Sequence, residues 1–174
     1  GGSFLKGAVL DPEIGTLVHV VRAEGPPLES EVPLARTIDP ARLSSSVVEL
    51  VDRLAGLIDG EPEGVLISGQ MHGVVLVDGD GSPQGAVHTW QDNRDTVVGP
   101  DGSPLRRLRE SLTTAEQMAT GNELRPGLPV STLHRLVLEG TAVQNLIPAS
   151  LLSYCAASLA EVGHNRFDMH ATDA

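Results

Sequence analysis

A chain of 174 residues fits one ordinary domain, and at this size it buries roughly two-thirds of its unfolded surface with no disulfide or metal staple. Apolar residues at 40% and charged residues at 20% exclude a disordered polymer, and the single cysteine, Cys155, excludes a disulfide framework and any cysteine-based zinc site. Twelve basic against 23 acidic residues leave a charge of −11, which repels phosphate backbones and makes nucleic acid a poor partner.

Phe4 to Leu10 reads as a strand, Asp11 to Gly15 as a turn, and Thr16 to Arg22 as a second strand, giving a hairpin. Glu24 to Thr37 carries Pro26, Pro27 and Pro33 and reads as loop, with room for an edge strand. Asp39 and Pro40 then form a helix start, one capping free amides and the other sitting where its missing N–H costs nothing. Leu43, Val47, Leu50, Val51, Leu54 and Ile58 give this helix one apolar face, and Gly60 is the expected stop. Gly64 to Ser68 and Val74 to Val77 read as strands, the first as a short unalternating run suited to a doubly covered sheet. Asp78 to Pro83 is a turn and Gly85 to Trp90 a further strand. Helices are expected near Pro104–Ser111, Thr114–Ala119, Ser131–Glu139 and Pro148–Ala160, so the fold class is α/β.

No apolar run is long enough to cross a membrane. The chain opens without Met and carries no signal-type segment, so the expectation is a cytoplasmic protein without membrane contact, and a piece of something longer.

Several motifs fail on inspection. The only lysine, Lys6, follows Leu5 rather than Gly, so there is no Walker loop, and Ser68 has Leu66 where a nucleophile elbow needs Gly. Asp78-Gly-Asp80 starts like a calcium loop but puts Pro83 at the required Gly and Thr89 at the bidentate Glu, so it reads as a hairpin turn. His164, Asp168 and His170 lie close together without a known ligand spacing and read as a solvated loop.

Three segments resist so plain a reading. Gly1-Gly2-Ser3-Phe4-Leu5-Lys6 offers small residues, exposed amides and one cation, which suits a phosphate; it equally suits a flexible chain end. Ser68-Gly69-Gln70-Met71-His72-Gly73 sets between two strands side chains able to donate to and accept from sugar hydroxyls, or is a tight connection with a satisfied histidine. Trp90-Gln91-Asp92-Asn93-Arg94 places the only tryptophan beside a polar cluster at a strand end. It suits the C–H face and hydroxyls of a sugar, or else a core tryptophan with an Asp–Arg pair bracing a loop.

In that order these segments resemble the N-terminal domain of the FGGY carbohydrate kinases. Gly1 to Lys6 is similar to the latter part of the family's phosphate loop, Ser68 to Gly73 to the Ser/Gly-Gln-Met-His-Gly segment of its xylulose kinases, and Trp90, Asp92 and Arg94 to their Trp-x-Asp-x-Arg segment. Thr120-Gly121-Asn122, Pro126-Gly127 and Thr172-Asp173-Ala174 also resemble the xylulose kinase pattern, while Thr89 to Asp92 is similar to the sedoheptulose kinases as well.

The resemblance implies a ribonuclease H-like (actin-like ATPase) domain, a mixed β-sheet flanked by helices, and phosphoryl transfer from ATP with Mg²⁺ to a xylulose-like ketose. It implies Gln70, Met71, His72, Trp90 and Asp92 as sugar-binding residues and Gly2, Ser3 and Lys6 at the nucleotide phosphates. It implies no metal ligand and no catalytic residue inside the chain. The family's metal-associated Asp falls before Gly1 and its general-base Asp beyond Ala174, in a C-terminal kinase domain. The chain alone is therefore expected to be inactive, and a family interface left open predicts homodimer contacts. The competing readings are a non-catalytic sugar-binding or regulatory module, a sedoheptulose kinase, and a generic α/β interaction domain.

Overall fold

The computed structural model describes residues 4–119, 121 and 123–163, with the backbone alone at 161–163. Gly2, Ser3, Thr120, Asn122, His164, Asp168, His170 and Thr172 to Ala174 lie outside the described residues. The chain forms two compact units, dividing after Pro27, Ile38, Gln70 and Leu151.

In the first unit β1 (Phe4–Asp11) and β2 (Thr16–Glu24) form the expected antiparallel hairpin. The Asp11 carboxylate accepts from the amides of Glu13 (2.9 Å) and Ile14 (3.3 Å), and Gly15 closes the turn at φ +66°. A register shift between Val9 and Leu10 breaks the ladder near the turn. Helix α1 (Pro40–Ala55) starts as its sequence requires, with Asp39 Oδ1 accepting from the amide of Ala41 at 2.9 Å. A Cβ on Gly7 would press on the tip of Leu54 and touch Leu50, so β1 packs closely against the helix at this glycine.

The helix stops at Gly56 rather than Gly60. Leu57 and Ile58 donate to the carbonyls of Leu54 and Ala55, so the last turn tightens early, at the first poor helix former. Gly64 to Ser68 is not a strand: it joins no ladder among the described residues, and Leu66 is 97% exposed. Apolar content alone does not make a strand when the backbone pairs with no neighbour. Helix α5 (Leu151–Gly163) belongs to this unit from Leu152 on, where the Tyr154 hydroxyl donates to the Pro40 carbonyl at 3.4 Å. Burial there pushes the Cys155 thiol up to about 11, which keeps it unreactive.

The second unit holds a four-stranded sheet in the order β3 (Thr37–Ile38), β5 (Val87–His88), β4 (Val74–Val77) and β6 (Ile147–Ser150). β4 is buried along its whole length, as an unalternating Val-Val-Leu-Val run requires. β5 is shorter than the Gly85–Trp90 expected. β6 takes three residues assigned above to a helix, because Ile147 to Ser150 pair with Val77 to Val74. Every strand pairing among the described residues is antiparallel, so they do not form the mixed sheet that the resemblance implies. The turn after β4 is closed by Asp78, which accepts from the amides of Asp80 and Ser82 and from Gln84 Nε2. Both its oxygens serve the turn, as expected of a hairpin rather than a calcium loop.

Helices α2 (Pro104–Ser111) and α3 (Thr114–Ala119) fall where their caps put them. Ser103 accepts from the amide of Arg106, and Thr113 and Glu116 exchange hydrogen bonds as a capping box. Leu105, Leu108 and Leu124 make a small core with Leu112. Helix α4 (Pro129–Leu138) begins two residues before the expected start, using Pro129 at its first turn. No helix among the described residues is long and apolar enough to cross a membrane.

Candidate functional site

Lys6 is exposed on β1, opposite Arg22 across the ladder; Arg22 itself stacks over the Phe4 ring at 3.4 Å from its centroid. Two cations thus mark one face of the hairpin. Gln70 is half-buried and ends a stretch of the first unit. Met71, 71% exposed, and half-buried His72 begin the longer stretch of the second unit, just ahead of β4. His72 stands at φ +68°, a left-handed conformation that L side chains rarely adopt. Backbone held in this region costs on the order of 1–3 kcal/mol and clusters at ligand sites.

The second motif follows β5 directly. Thr89 fixes the turn with two hydrogen bonds to the Arg36 carbonyl, from its amide (3.1 Å) and its hydroxyl (2.9 Å). The Asp92 amide returns to the Thr89 carbonyl at 3.0 Å. Trp90 at the head of this turn is 47% exposed, while Asp92 two residues on is 2% exposed. The turn therefore presents an aromatic face outward and a carboxylate inward.

Asp92 is surrounded by donors. Arg94 reaches its Oδ1 through Nε at 2.9 Å and its Oδ2 through a terminal nitrogen at 2.6 Å, and His88 Nδ1 lies 2.9 Å from Oδ2. Arg135, from α4, stands 3.8 Å from the same oxygen. Burial alone would raise the Asp92 pKa; the hydrogen bonds from Arg94 and His88 and the charge of Arg94 outweigh it and hold the carboxyl well below the usual range. Asp92 in turn raises the pKa of Arg94. The Asp–Arg brace allowed for in the sequence is thus present. His88 and Arg135 were not singled out there, and no sequence signal marks Arg135, whose helical neighbours Ser131, Thr132 and Glu139 are polar.

His88 Nδ1 also lies 3.1 Å from an Arg94 nitrogen and 3.4 Å from an Arg135 nitrogen. A guanidinium only donates and a carboxylate only accepts, so one ring nitrogen cannot serve both. Next to this cluster both carboxylate oxygens of Asp95 are buried without a hydrogen-bond partner. Among the described residues no group of three or more His, Cys, Asp or Glu is placed to hold a metal ion.

No protein-family profile and no curated protein matches the chain. Solved structures do match it in fold. A xyloylose kinase from Brucella ovis superposes with a TM-score of 0.75 at 21% identity, over 89% of this chain and 32% of that one. A xylulose kinase from Rhodospirillum rubrum gives 0.69 at 24%, over 88% and 31%. A gluconate kinase from Lactobacillus acidophilus gives 0.63 at 22%, over 82% and 27%. The chain has the fold of part of these sugar kinases, and it spans about a third or less of their length.

Proposed function

We propose that this chain is the sugar-binding portion of an ATP-dependent ketose kinase of the FGGY type, with a xylulose-like substrate and an actin-like, ribonuclease H-like ATPase fold. One observation carries the reading: a chain with the fold of part of solved xylulose kinases also holds Gln70-Met71-His72-Gly73 and Trp90-x-Asp92-x-Arg94, in that order.

In this reading the exposed indole of Trp90 packs on the C–H face of the sugar. Gln70, Met71 and His72 line the same ligand, with His72 bonding a hydroxyl. Asp92 holds Arg94 and the turn rather than reaching the sugar itself, because its oxygens are already engaged. Lys6, with Gly2 and Ser3, meets the nucleotide phosphates. The resemblance also brings Mg²⁺, which would neutralise phosphate charge; the described residues bring together no group of three or more His, Cys, Asp or Glu to hold it. The hydroxyl proton leaves to a base in a second, C-terminal ATPase-like domain, the partner expected for this chain. Light scattering of the chain checks the homodimer contacts proposed with it.

The test is ketose-dependent ADP release by the longest natural product containing this segment, with xylulose, ribulose, sedoheptulose and glycerol offered alongside Mg²⁺-ATP. Selective turnover of a ketose is expected, and which one answers separates xylulose from sedoheptulose. A folded, complete chain that turns over none of them overturns the kinase reading in favour of a binding module.

A further inference from the structure

Arg135 is buried with 2% of its surface exposed, the largest side chain so enclosed among the described residues. Removing a guanidinium from water costs several kcal/mol, and a well-packed apolar side chain of similar volume often serves stability as well or better. Its contacts are specific. One terminal nitrogen pairs with Glu139, 2.5 Å away and one helical turn on. The other points to His88 Nδ1 at 3.4 Å and Asp92 Oδ2 at 3.8 Å. The same chain segment touches the turn a second time. A Cβ on Gly127, two residues before α4, would overlap the carbonyl of Trp90.

We infer that Arg135, with His88, is a positioning residue that fixes the Trp90 turn through Asp92, so that α4 sets the orientation of the indole. Arg94 holds Asp92 from within the same turn, whereas Arg135 ties it to a separate element. The clamp ends at Glu139, whose side chain is half-exposed. Glu139 and Arg94 line an open cleft of about 230 Å³ together with Val97, Pro100, Arg107 and Leu138, so its outer end can be altered without disturbing the core. The consequence for ligand affinity rests on the sugar-site reading; the clamp itself does not.

The test uses the full-length protein labelled with 5-fluorotryptophan, the Trp90 resonance being the ¹⁹F signal lost in Trp90→Phe. Arg135→Met is expected to shift or broaden that resonance and to raise the KM for D-xylulose roughly three- to tenfold, the equivalent of one or two hydrogen bonds, with a smaller change in kcat. Arg135→Lys, which keeps the charge but loses the fork, should fall between the two. An unmoved Trp90 signal in folded Arg135→Met overturns the proposal. If that variant does not fold, Glu139→Gln decides: a shift in the same direction supports the clamp, and an unchanged spectrum overturns it. A shift in the variants of a parent that ignores every ketose keeps the clamp and removes the sugar site.

Discussion

The α-carbon of Gly127 lies against the backbone of Trp90, so close that a methyl group at position 127 would occupy the space of the Trp90 carbonyl oxygen. Gly127 also stands at φ +76°. Gly127→Ala therefore meets both a backbone clash and a conformational penalty, and is expected to destabilise the protein by about 2–4 kcal/mol. A urea titration measures this. A loss under about 0.5 kcal/mol would show that the two segments separate easily.

His72 gives the opposite expectation. His72→Gly should relieve the left-handed strain and stabilise the fold by up to about 1 kcal/mol, offset in part by the entropy of glycine. The same variant should weaken ketose use up to roughly tenfold, the worth of one neutral hydrogen bond. Thermal melts and kinetics on the full-length protein read both. A stable variant with unchanged ketose kinetics would take His72 out of the site.

Asp92 makes stability depend on acidity. Its folded pKa is lowered, so its contribution is fully present above the unfolded value of 3.8 and is lost as pH falls below it toward the folded value. Asp92→Asn should flatten the acid limb of stability below about pH 4. Near neutral pH it should cost about 1.5–3 kcal/mol, since it leaves the half-buried Arg94 guanidinium without its counterion while Arg135 keeps Glu139. Chemical denaturation at pH 3, 4 and 7 makes the comparison, and parallel curves for the two proteins would contradict it.

His134 on α4 has a buried Nε2 without a hydrogen-bond partner. Burial first, and the charge of Arg107 second, lower its pKa. A base with a depressed folded pKa contributes stability above its unfolded value, near 6.5, and that stability fades as pH falls through the folded value. His134→Phe removes the orphaned nitrogen and is expected to be neutral or stabilising by about 1 kcal/mol, with less loss of stability between pH 7 and 5. A destabilised variant would mean that the nitrogen has a partner in solution.

The elements legible in the sequence were those set by local chemistry. α2 and α3 begin and end where Ser103, Thr113 and Glu116 put them, because a cap acts within three or four residues. The β1–β2 hairpin was legible for the same reason, through Asp11 and Gly15. Gly64 to Ser68 and Pro148 to Ser150 read in opposite senses from what they form, since a strand depends on a partner far along the chain and its own composition does not reveal one. The Trp90 turn could be picked out from its residue types. Its clamp could not, because Arg135 and His88 are 47 positions apart and only the fold joins them.

The crowding at His88 Nδ1 has an outcome for hydrogen atoms rather than for heavy ones. With the proton on Nδ1 the ring donates to Asp92 and the neighbouring guanidiniums lose an acceptor; with the proton on Nε2 the ring accepts from arginine and Asp92 gives up one donor. Neither tautomer satisfies every neighbour. The cluster is a frustrated junction with two proton registers on one heavy-atom frame, and relocating one hydrogen changes whether His88 bonds to Asp92 or to the arginines without moving the backbone.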